Sequence, residues 1–472
     1  MQKVLSYRQA KGLLTPLEKV GQLFMPAAFI NDTEVEIRQL EQLIGKHHVG
    51  GLCFFHSRAS AATNYEGKKK VVYNERSFEV LSALIQRYQK VATYPLLIAI
   101  DAEWGLAMRV ENTPKYPYAI TLGAMQGDDD LIFEMGKNIA KDCQAAGIHW
   151  NLAPVVDINN NPSNPVIGYR SFGEDKIKVT QKALAYVKGM AHEGLLTSIK
   201  HFPGHGDTDT DSHLGLPLID KTKEALIQNE LFPFQELIDK GVDSVMVGHL
   251  SVPSLANGNT VPSSISKEII KGVLRKEMGF KGVVISDALN MHAVSKNYPV
   301  KGELEWLAFD AGNDVLCFAE HTKEAIGTIL SKSSEQEIEE SFERIWRLKE
   351  KAIKPKSFES SAFQRAILSN PSVLNQKIAR KSLILAKGNE DKIAAFASKK
   401  FLKLSMPQTE NNFFFKTLDK KLRDSGMSLD ISDLDINDEV QYAKVLETQK
   451  SILLALFPRQ IKPANNFGYS KA

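Results

Sequence analysis

Residues 194–213 read GLLTSIKHFPGHGDTDTDSH, and this segment contains the pattern that decides the fold. Gly194 follows a stretch of helical period, and glycine readily takes the left-handed conformation that ends a helix. A short apolar run, 195–199, comes next, and polar residues beginning with Lys200 follow it directly. The segment therefore predicts a helix end, a tight turn, a buried strand and a polar loop in succession.

The same succession recurs along the chain. Eight short apolar runs alternate with longer segments of helical period, which indicates parallel strands joined by helices. The runs are 20–25, 50–55, 95–100, 148–153, 195–199, 244–247, 282–285 and 314–318. The helical segments include 78–88, 131–146, 177–192, 224–240, 267–278 and 335–351. The glycines expected at helix-to-strand turns are Gly147, Gly194, Gly241 and Gly282. Eight such units in roughly 350 residues predict an α/β fold, a (β/α)8 TIM barrel with insertions.

Polar residues follow five of the eight runs. They are Asp101 after the third run, Asn151 and Asp157 at the fourth, Lys200 and His201 after the fifth, His249 after the sixth and Asp287 after the seventh. In a TIM barrel these strand ends face one mouth, where active sites are built. An open doubly wound sheet is the alternative, but no Gly-x-Gly-x-x-Gly motif follows an early run.

The pattern changes after Lys351. Proline, serine and charged residues in 352–370 predict a linker between a barrel domain, 1–351, and a second domain, 371–472. In the second domain, strands are predicted at 382–386, 401–405 and 451–456, with helices near 391–398, 413–423 and 438–448. Because a typical sheet has five or six strands, we expect a small α/β domain that is an incomplete sandwich.

The composition excludes several classes of protein. The chain has 59 Lys plus Arg against 56 Asp plus Glu in 472 residues, a net charge of +3. This balance gives no reason to expect nucleic acid as a partner, since nucleic-acid binders usually carry a basic stripe. No stretch approaches the ~18 apolar residues of a membrane span, and the N-terminus lacks the apolar core of a secretory leader. We expect a cytoplasmic protein, or a periplasmic or secreted one if a leader was removed.

Residues 200–213 concentrate one lysine, three histidines and three aspartates in a segment that proline and glycine keep out of a helix. The residues alone leave three interpretations open. His201, His205 and His213 have the right ligand type for zinc, whereas a calcium loop is excluded by missing glycine and glutamate positions. Alternatively, Asp211 orients His213 for proton transfer near neutral pH. In the third interpretation the loop only caps the barrel.

Asp287 ends the apolar, β-branched run GVVIS. A carboxylate at a rigid strand end is well placed to act as a nucleophile. The alternative is that Asp287 caps a helix starting at Ala288.

These residues resemble a known family. The segment KHFPGHG at 200–206, followed by Asp211-Ser212-His213, is similar to the signature of glycoside hydrolase family 3 enzymes of the NagZ type, which are exo-acting β-N-acetylglucosaminidases. The resemblance extends through NLAPVVD at 151–157, NPVIGYRSFG at 164–173 and SDAL at 286–289. It covers roughly residues 14–351.

The resemblance implies a retaining, two-step hydrolysis without metal or cofactor. Asp287 corresponds to the nucleophile, and His213, oriented by Asp211, corresponds to the general acid/base. The residues implied to hold the terminal N-acetylglucosamine are Asp101, Arg109, Arg170, Lys200 and His201. The expected substrate is a small carbohydrate, an N-acetylglucosamine-containing muropeptide or oligosaccharide from peptidoglycan.

Three other functions stay open at this point. They are a β-N-acetylglucosaminide phosphorylase, a β-glucosidase or xylosidase of the same family, and a sugar-binding protein without turnover. The chain also departs from the family at 101–105, where DAEWG stands in place of the commoner DQEGG. Trp104 either stacks on the leaving group or packs in the core.

Overall fold

The computed structural model describes residues 4–58, 73–127, 129–210, 215–353 and 368–397. Toward the C-terminus it describes 401–406, 413–424, 444, 447–448, 451–458, 461–463 and 467. The chain divides into two compact units, Met1–Ser382 and Leu383–Ala472.

Parallel strands form the centre of the first unit. They are β1 Phe24–Met25, β2 Ala27–Phe29, β3 Gly51–Phe55, β4 Leu97–Ile100, β5 Trp150–Asn151, β6 Leu196–Phe202, β7 Ser244–Val247, β8 Val283–Ser286 and β9 Leu316–Cys317. Strands β2 to β8 form one sheet in sequence order, and β1 pairs with β9. Each predicted apolar run overlaps one of these strands.

The sheet closes into a barrel. Only Pro26 separates β1 from β2, so the two act as one interrupted strand that pairs with β9 on one side and β3 on the other. A bridge between Ile285 and Val315 joins β8 to the residue before β9. Counting β1 and β2 together, eight parallel strands surround the core, and the predicted (β/α)8 TIM barrel is confirmed.

Helices connect the barrel strands. They are Tyr7–Leu13, Pro16–Gly21, Glu34–His47, Ser77–Val91, Ala119–Ala124, Asp129–Ala146, Lys176–His192, Lys223–Gln228, Phe232–Asp239, His292–Ser295, Glu303–Ala311, Thr322–Lys332, Glu335–Ala352 and Ser372–Lys381, with a π-helix at Glu268–Glu277. The predicted segment 224–240 forms two helices because Pro233, which has no amide hydrogen, lies in the first turn of the second one, Phe232–Asp239. Among the described residues, no helix combines the length and the apolar character that crossing a bilayer requires.

The glycines before the strands have two different roles. Gly147, Gly194 and Gly241 have φ angles of 92°, 81° and 79°, so they form the predicted left-handed turns. Gly282 does not, because its role is close packing: a Cβ atom there would lie 2.6 Å from the carbonyl oxygen of Asp243. The prediction that Gly282 forms a left-handed turn is therefore wrong. Gly279 (φ 72°) forms the left-handed turn before β8.

The second unit is described only in part. Its strands β10 Leu402–Met406 and β11 Ile452–Leu456 pair in parallel, and its helices include Glu390–Ala397 and Phe413–Asp424. Two of the three predicted strands are thus present. The strand predicted at 382–386 is wrong, because residues 383–386 pair with no described strand and Leu383 is 82% exposed.

The segment that follows the barrel packs back onto it. The backbone N–H of Ser369 donates to Asp142 Oδ1 at 2.7 Å, and Asn375 Nδ2 donates to the carbonyl oxygen of Lys115 at 2.9 Å. The two compact units therefore divide after Ser382. The domain boundaries at 351 and 371 concern independent folding and stay a prediction.

Asp142 makes the stability of this packing depend on pH. The carboxyl group is fully buried, and burial raises its pKa from 3.8 to about 6. The protonated carboxyl therefore contributes its full stabilisation below about pH 4. This stabilisation is lost as the pH rises through 6, because ionising the buried group lowers the free energy of unfolding by roughly 3 kcal/mol. We expect Asp142→Asn to raise the thermal unfolding temperature at pH 7.5, and this gain to disappear at pH 4.

Thermal unfolding of both proteins across this pH range checks the prediction. Asp130→Asn, in the same helix but exposed, controls for removal of a surface carboxylate. A difference between wild type and Asp142→Asn that stays constant from pH 4 to pH 7.5 would contradict the prediction.

Candidate active site

The carboxyl ends of the barrel strands bring together the side chains that the sequence singles out. Asp101 follows β4, Lys200 and His201 lie at the end of β6, His249 follows β7, Asp287 follows β8, and Arg109 and Arg170 lie in the loops after β4 and β5. Strands β4 and β8 are the third and seventh of the eight, so they lie opposite one another in the barrel. Asp101 and Asp287 therefore lie on opposite sides of the mouth.

Lys200 is at the centre of a buried ionic network. Its side chain is 2% exposed, and its Nζ lies 2.8 Å from Asp101 Oδ1 and 2.8 Å from Glu103 Oε1. The sequence predicts Lys200 in a loop, but β6 continues through it to Phe202, with a shift of register between Ile199 and Phe202. Because the residue belongs to a strand, its ammonium group has a fixed position.

An arginine lies at each end of this network. Arg109 Nη2 donates to Asp101 Oδ2 at 2.8 Å. Arg170 donates twice to the Glu103 carboxylate, at 3.0 and 2.7 Å. Glu103 is absent from the sequence-based prediction, although its place two residues after Asp101 could have indicated a second carboxylate at the same strand end. The network is thus a chain of alternating charges, which we call the binding network: Arg109, Asp101, Lys200, Glu103 and Arg170.

The groups of the binding network hold one another in the charged state. Burial acts to raise the pKa of Asp101, but Lys200 and Arg109 outweigh it and bring this pKa down to about 2. The same balance, with Arg170 as the main opposing charge, holds the pKa of Glu103 well below its ordinary range. Burial acts to lower the pKa of Lys200, but the two carboxylates raise it. The mouth therefore offers charged donors and acceptors side by side.

His201 is oriented by Asp157. The ring Nδ1 lies 2.7 Å from Asp157 Oδ2, so Nδ1 carries the hydrogen and donates to the carboxylate. Asp157 also accepts from the backbone N–H groups of His201 and His205, at 3.1 and 2.7 Å. The other ring nitrogen of His201, Nε2, lies 3.3 Å from Arg170 Nη2. Asp157 thus holds the His201 ring in one orientation beside the binding network.

The metal interpretation of the 200–213 segment has little support in its described part. Burial lowers the pKa of His205 to about 4, and its Nδ1 lies 2.7 Å from Thr208 Oγ1. In the part of the chain that the structure describes, no group of three or more His, Cys, Asp or Glu side chains is arranged to hold a metal ion. Asp211 and His213, the predicted acid/base pair, lie outside the described residues.

Asp287 is a half-buried carboxylate on the side of the mouth opposite Asp101. Its Oδ1 accepts from the backbone N–H of Ala288 at 2.8 Å, and no donor to Oδ2 is present among the described residues. Burial acts to raise the pKa of Asp287, but the nearby His249 and His201 outweigh it, and the pKa lies below its ordinary value. An ionised oxygen is therefore available as a nucleophile.

The helix-cap interpretation of Asp287 is wrong. The next helix begins at His292, and its N-cap residue is Met291. His249 instead fixes the turn after Asp287, since its Nε2 lies 2.9 Å from the carbonyl oxygen of Ala288. The His249 Nδ1 lies 2.7 Å from Ser264 Oγ, which fixes the ring in turn.

The geometry suits a ligand with several hydroxyl groups. One side of the mouth provides charge-assisted donors and acceptors, and the other side provides an ionised carboxylate. A ring that hydrogen-bonds to the binding network can therefore present an electrophilic carbon to Asp287 across the mouth.

Comparisons with known proteins show the family of the chain. Residues 16–348 match the family model described as the glycosyl hydrolase family 3 N terminal domain. Beta-hexosaminidase A of Pseudoalteromonas piscicida is 32% identical over 363 residues, which are 71% of this chain and 58% of that protein. A beta-hexosaminidase of Tolumonas auensis is 36% identical over 249 residues, 52% of this chain and 72% of that protein.

A solved structure extends the similarity to the fold. It is that of a glycoside hydrolase family 3 beta-N-acetylglucosaminidase from Paenibacillus sp. str. FPU-7, with a TM-score of 0.69 and 30% identity. The match covers 93% of this chain and 84% of that chain. The chain spans less than two thirds of the Pseudoalteromonas relative, 58% of its length.

Proposed function

Since the chain belongs to glycoside hydrolase family 3, we propose that it is a retaining β-N-acetylglucosaminidase that removes the terminal sugar from a non-reducing end. The observation that carries the proposal is the position of Asp287 opposite the binding network, with its pKa below the ordinary value. The names of the Pseudoalteromonas, Tolumonas and Paenibacillus relatives support N-acetylhexosamine as the sugar.

The proposed reaction has two steps. In the first, an oxygen of Asp287 bonds to C1 of the sugar, the bond from C1 to the leaving oxygen breaks, and His213 gives its proton to that oxygen. In the second, His213 takes a proton from water, the water oxygen bonds to C1, and the bond to Asp287 breaks. Asp211 orients the His213 ring in both steps, and both roles are assigned from the sequence motif.

The binding network performs the recognition in this proposal. Asp101 accepts hydrogen bonds from sugar hydroxyls, while Arg109, Arg170 and Lys200 donate to them. His201 Nε2 lies 3.3 Å from Arg170 Nη2 and so faces the same region. Since the network is ionised before the sugar arrives, it needs little reorganisation on binding.

We further propose that the natural substrate is a peptidoglycan fragment in which the terminal sugar is joined to a muramic acid derivative, in the cytoplasm. Muropeptides of defined composition test this proposal. Incubation with the protein should release N-acetylglucosamine, measured by mass spectrometry, and leave the muramic acid part intact. Release from chitobiose but not from muropeptides would contradict it.

Release of p-nitrophenol from its β-N-acetylglucosaminide tests the central proposal. The same measurement on the β-glucoside and β-xyloside tests the other specificities, and added phosphate tests phosphorolysis through formation of sugar 1-phosphate. The proposal expects release from the N-acetylglucosaminide without phosphate. Sugar binding by calorimetry without any product would instead show a binding protein.

His213→Ala is expected to lower kcat by roughly a hundredfold or more, because no group then activates water in the second step. With p-nitrophenol as the leaving group the first step needs little acid, so glycosyl-enzyme should accumulate. Azide should accelerate turnover and give a glycosyl azide. His192→Ala removes an exposed histidine and serves as the control. A wild-type rate for His213→Ala would contradict its role.

A further inference from the structure

Three aromatic side chains form a cluster beside the binding network. The ring centroid of Trp104 lies 4.8 Å from that of Tyr118 and 6.0 Å from that of Tyr169. The rings of Tyr118 and Tyr169 are 4.9 Å apart. All three residues are half-buried, so the cluster is part of the protein surface. We call Trp104, Tyr118 and Tyr169 the aromatic cluster.

The aromatic cluster is joined to the binding network at two points. Trp104 follows Glu103 and Tyr169 precedes Arg170, and these two neighbours share a pair of hydrogen bonds. Burial raises the pKa of the Tyr169 phenol, and Arg170 acts against this effect, which places the phenol near the charges of the network. The cluster therefore borders the network.

The backbone around Trp104 is held in place. The carbonyl oxygen of Trp104 accepts from the N–H of Tyr116 at 3.0 Å. The carbonyl oxygen of Glu103 accepts from the Tyr186 hydroxyl at 2.9 Å. Tyr116 and Tyr186 are both buried, so the backbone that carries the indole ring is anchored in the barrel.

The barrel fixes which end of the sugar meets the aromatic cluster. This step rests on the proposed function, in which C1 of the terminal sugar bonds to Asp287. In a pyranose ring C1 and C4 are opposite one another, and Asp101 lies across the mouth from Asp287. The 4-hydroxyl therefore points to the side of the mouth that holds the binding network, and the leaving group on C1 points away from it.

We propose that the aromatic cluster is a wall beyond the 4-hydroxyl of the bound sugar, and that Trp104 excludes substrates substituted at this hydroxyl. The sequence leaves Trp104 either as a platform for the leaving group or as a packing residue. The ring contacts show packing against aromatic neighbours, and these residues follow β4 and β5, whereas Asp287 follows β8 on the other side of the barrel. Trp104 is thus a specificity residue that acts by steric exclusion.

Two substrates that differ in one methyl group test the proposal. They are the p-nitrophenyl β-N-acetylglucosaminide and its methyl ether at the 4-hydroxyl. The measured quantity is the ratio of kcat/KM for the ether to kcat/KM for the parent compound. Wild-type protein should give a low ratio, and Trp104→Ala should raise it by about tenfold or more, the scale on which pockets discriminate small groups.

The ratio distinguishes steric exclusion by Trp104 from a purely structural role of this residue. If the substitution only damaged the fold or the site, kcat/KM would fall equally for both substrates and the ratio would not change. Trp104→Leu, which keeps apolar packing with a smaller side chain, should also raise the ratio and serves if the alanine variant folds poorly. The methyl ether at the 6-hydroxyl is the substrate control, since removal of Trp104 should not raise its ratio.

Trp306→Ala is the matched protein control. Trp306 is another half-buried tryptophan, packed under Lys332 Nζ at 4.0 Å in the helix Glu303–Ala311, and its removal should leave the ratio at the wild-type value. An unchanged ratio for both Trp104 variants, or an equal rise for Trp306→Ala, would contradict the proposal that the aromatic cluster excludes substituents on the 4-hydroxyl. Absence of p-nitrophenol release from the parent compound by wild-type protein would instead overturn the proposed function.

Discussion

Asp287→Ala is expected to lower kcat for release of p-nitrophenol by roughly three orders of magnitude or more, the largest effect of any single substitution in this chain. The carboxylate is held after β8 by the hydrogen bond to the Ala288 amide, and its pKa lies below the ordinary value because His249 and His201 outweigh burial. Without it, C1 has no nucleophile positioned on that side of the mouth.

The variant should still bind the sugar. The binding network lies on the opposite side of the mouth, so calorimetry with N-acetylglucosamine should give a Kd close to that of wild type. Azide is a sharper control, because it fits the space left by the carboxylate. It should restore turnover and give the α-glycosyl azide, since attack comes from the face that Asp287 occupies.

Two outcomes would contradict this assignment. One is residual activity of Asp287→Ala above about a tenth of wild type, which is incompatible with loss of a nucleophile. The other is azide rescue that gives the β-glycosyl azide, which would place the lost group on the other face of the sugar, where the acid/base acts.

Lys200→Met is expected to impair both binding and stability. Nζ of Lys200 is 2.8 Å from both Asp101 and Glu103, and its side chain is 2% exposed. The substitution leaves two buried carboxylates without the cation between them. Breaking a buried ion pair from one side costs about 3–5 kcal/mol of stability. We also expect kcat/KM to fall by about a hundredfold or more, because a donor to the sugar is lost and the carboxylates move apart.

Lys182→Met is the matched control. Lys182 is also buried, at 3% exposure, and its Nζ lies 3.3 Å from Asp129 Oδ1, between the helices Lys176–His192 and Asp129–Ala146. Lys182→Met should unfold at a lower temperature than wild type, but the molecules that remain folded should have the wild-type kcat/KM. Unfolding temperature and kcat/KM are measured for both variants.

A double variant tests the electrostatic reason. In Lys200→Met each carboxylate keeps one arginine, so adding Glu103→Gln, which takes the anion away from Arg170, should lower the stability further. A double variant as stable as Lys200→Met alone would show that pairing of these charges does not explain the loss. A wild-type kcat/KM for Lys200→Met would show that the binding network does not take part in the proposed sugar recognition.

The barrel could be predicted from the sequence because its signals are local. Each parallel strand is buried on both faces and therefore forms a short apolar run, and each helix has its own period. The predictions that are wrong depend on partners. The apolar run at 382–386 pairs with no described strand, and Lys200 belongs to β6 because that strand continues past its apolar part.

The sequence also indicates residues of the candidate site, because they stand directly after the apolar runs. Asp101, Lys200, His201 and Asp287 stand at strand ends, and the segments that resemble family 3 contain three of them, Lys200, His201 and Asp287. The only local sign of Glu103 is its place two residues after Asp101, and this sign alone does not distinguish it from a surface glutamate. Its role depends on Arg170, 67 residues away, and on Lys200, with which it shares a buried position.

Local signals in the sequence specify the order of strands and helices and the residues that stand at the strand ends. In a barrel of parallel strands this order brings all of those ends to one mouth. Which charges pair, such as Lys200 with Asp101, 99 residues earlier, depends on the closed barrel. The same holds for the contacts among the three rings of the aromatic cluster, whose residues are up to 65 positions apart in the chain. The physical reason is that ion pairs and ring contacts form over a few ångströms in space, and closure of the barrel sets those distances.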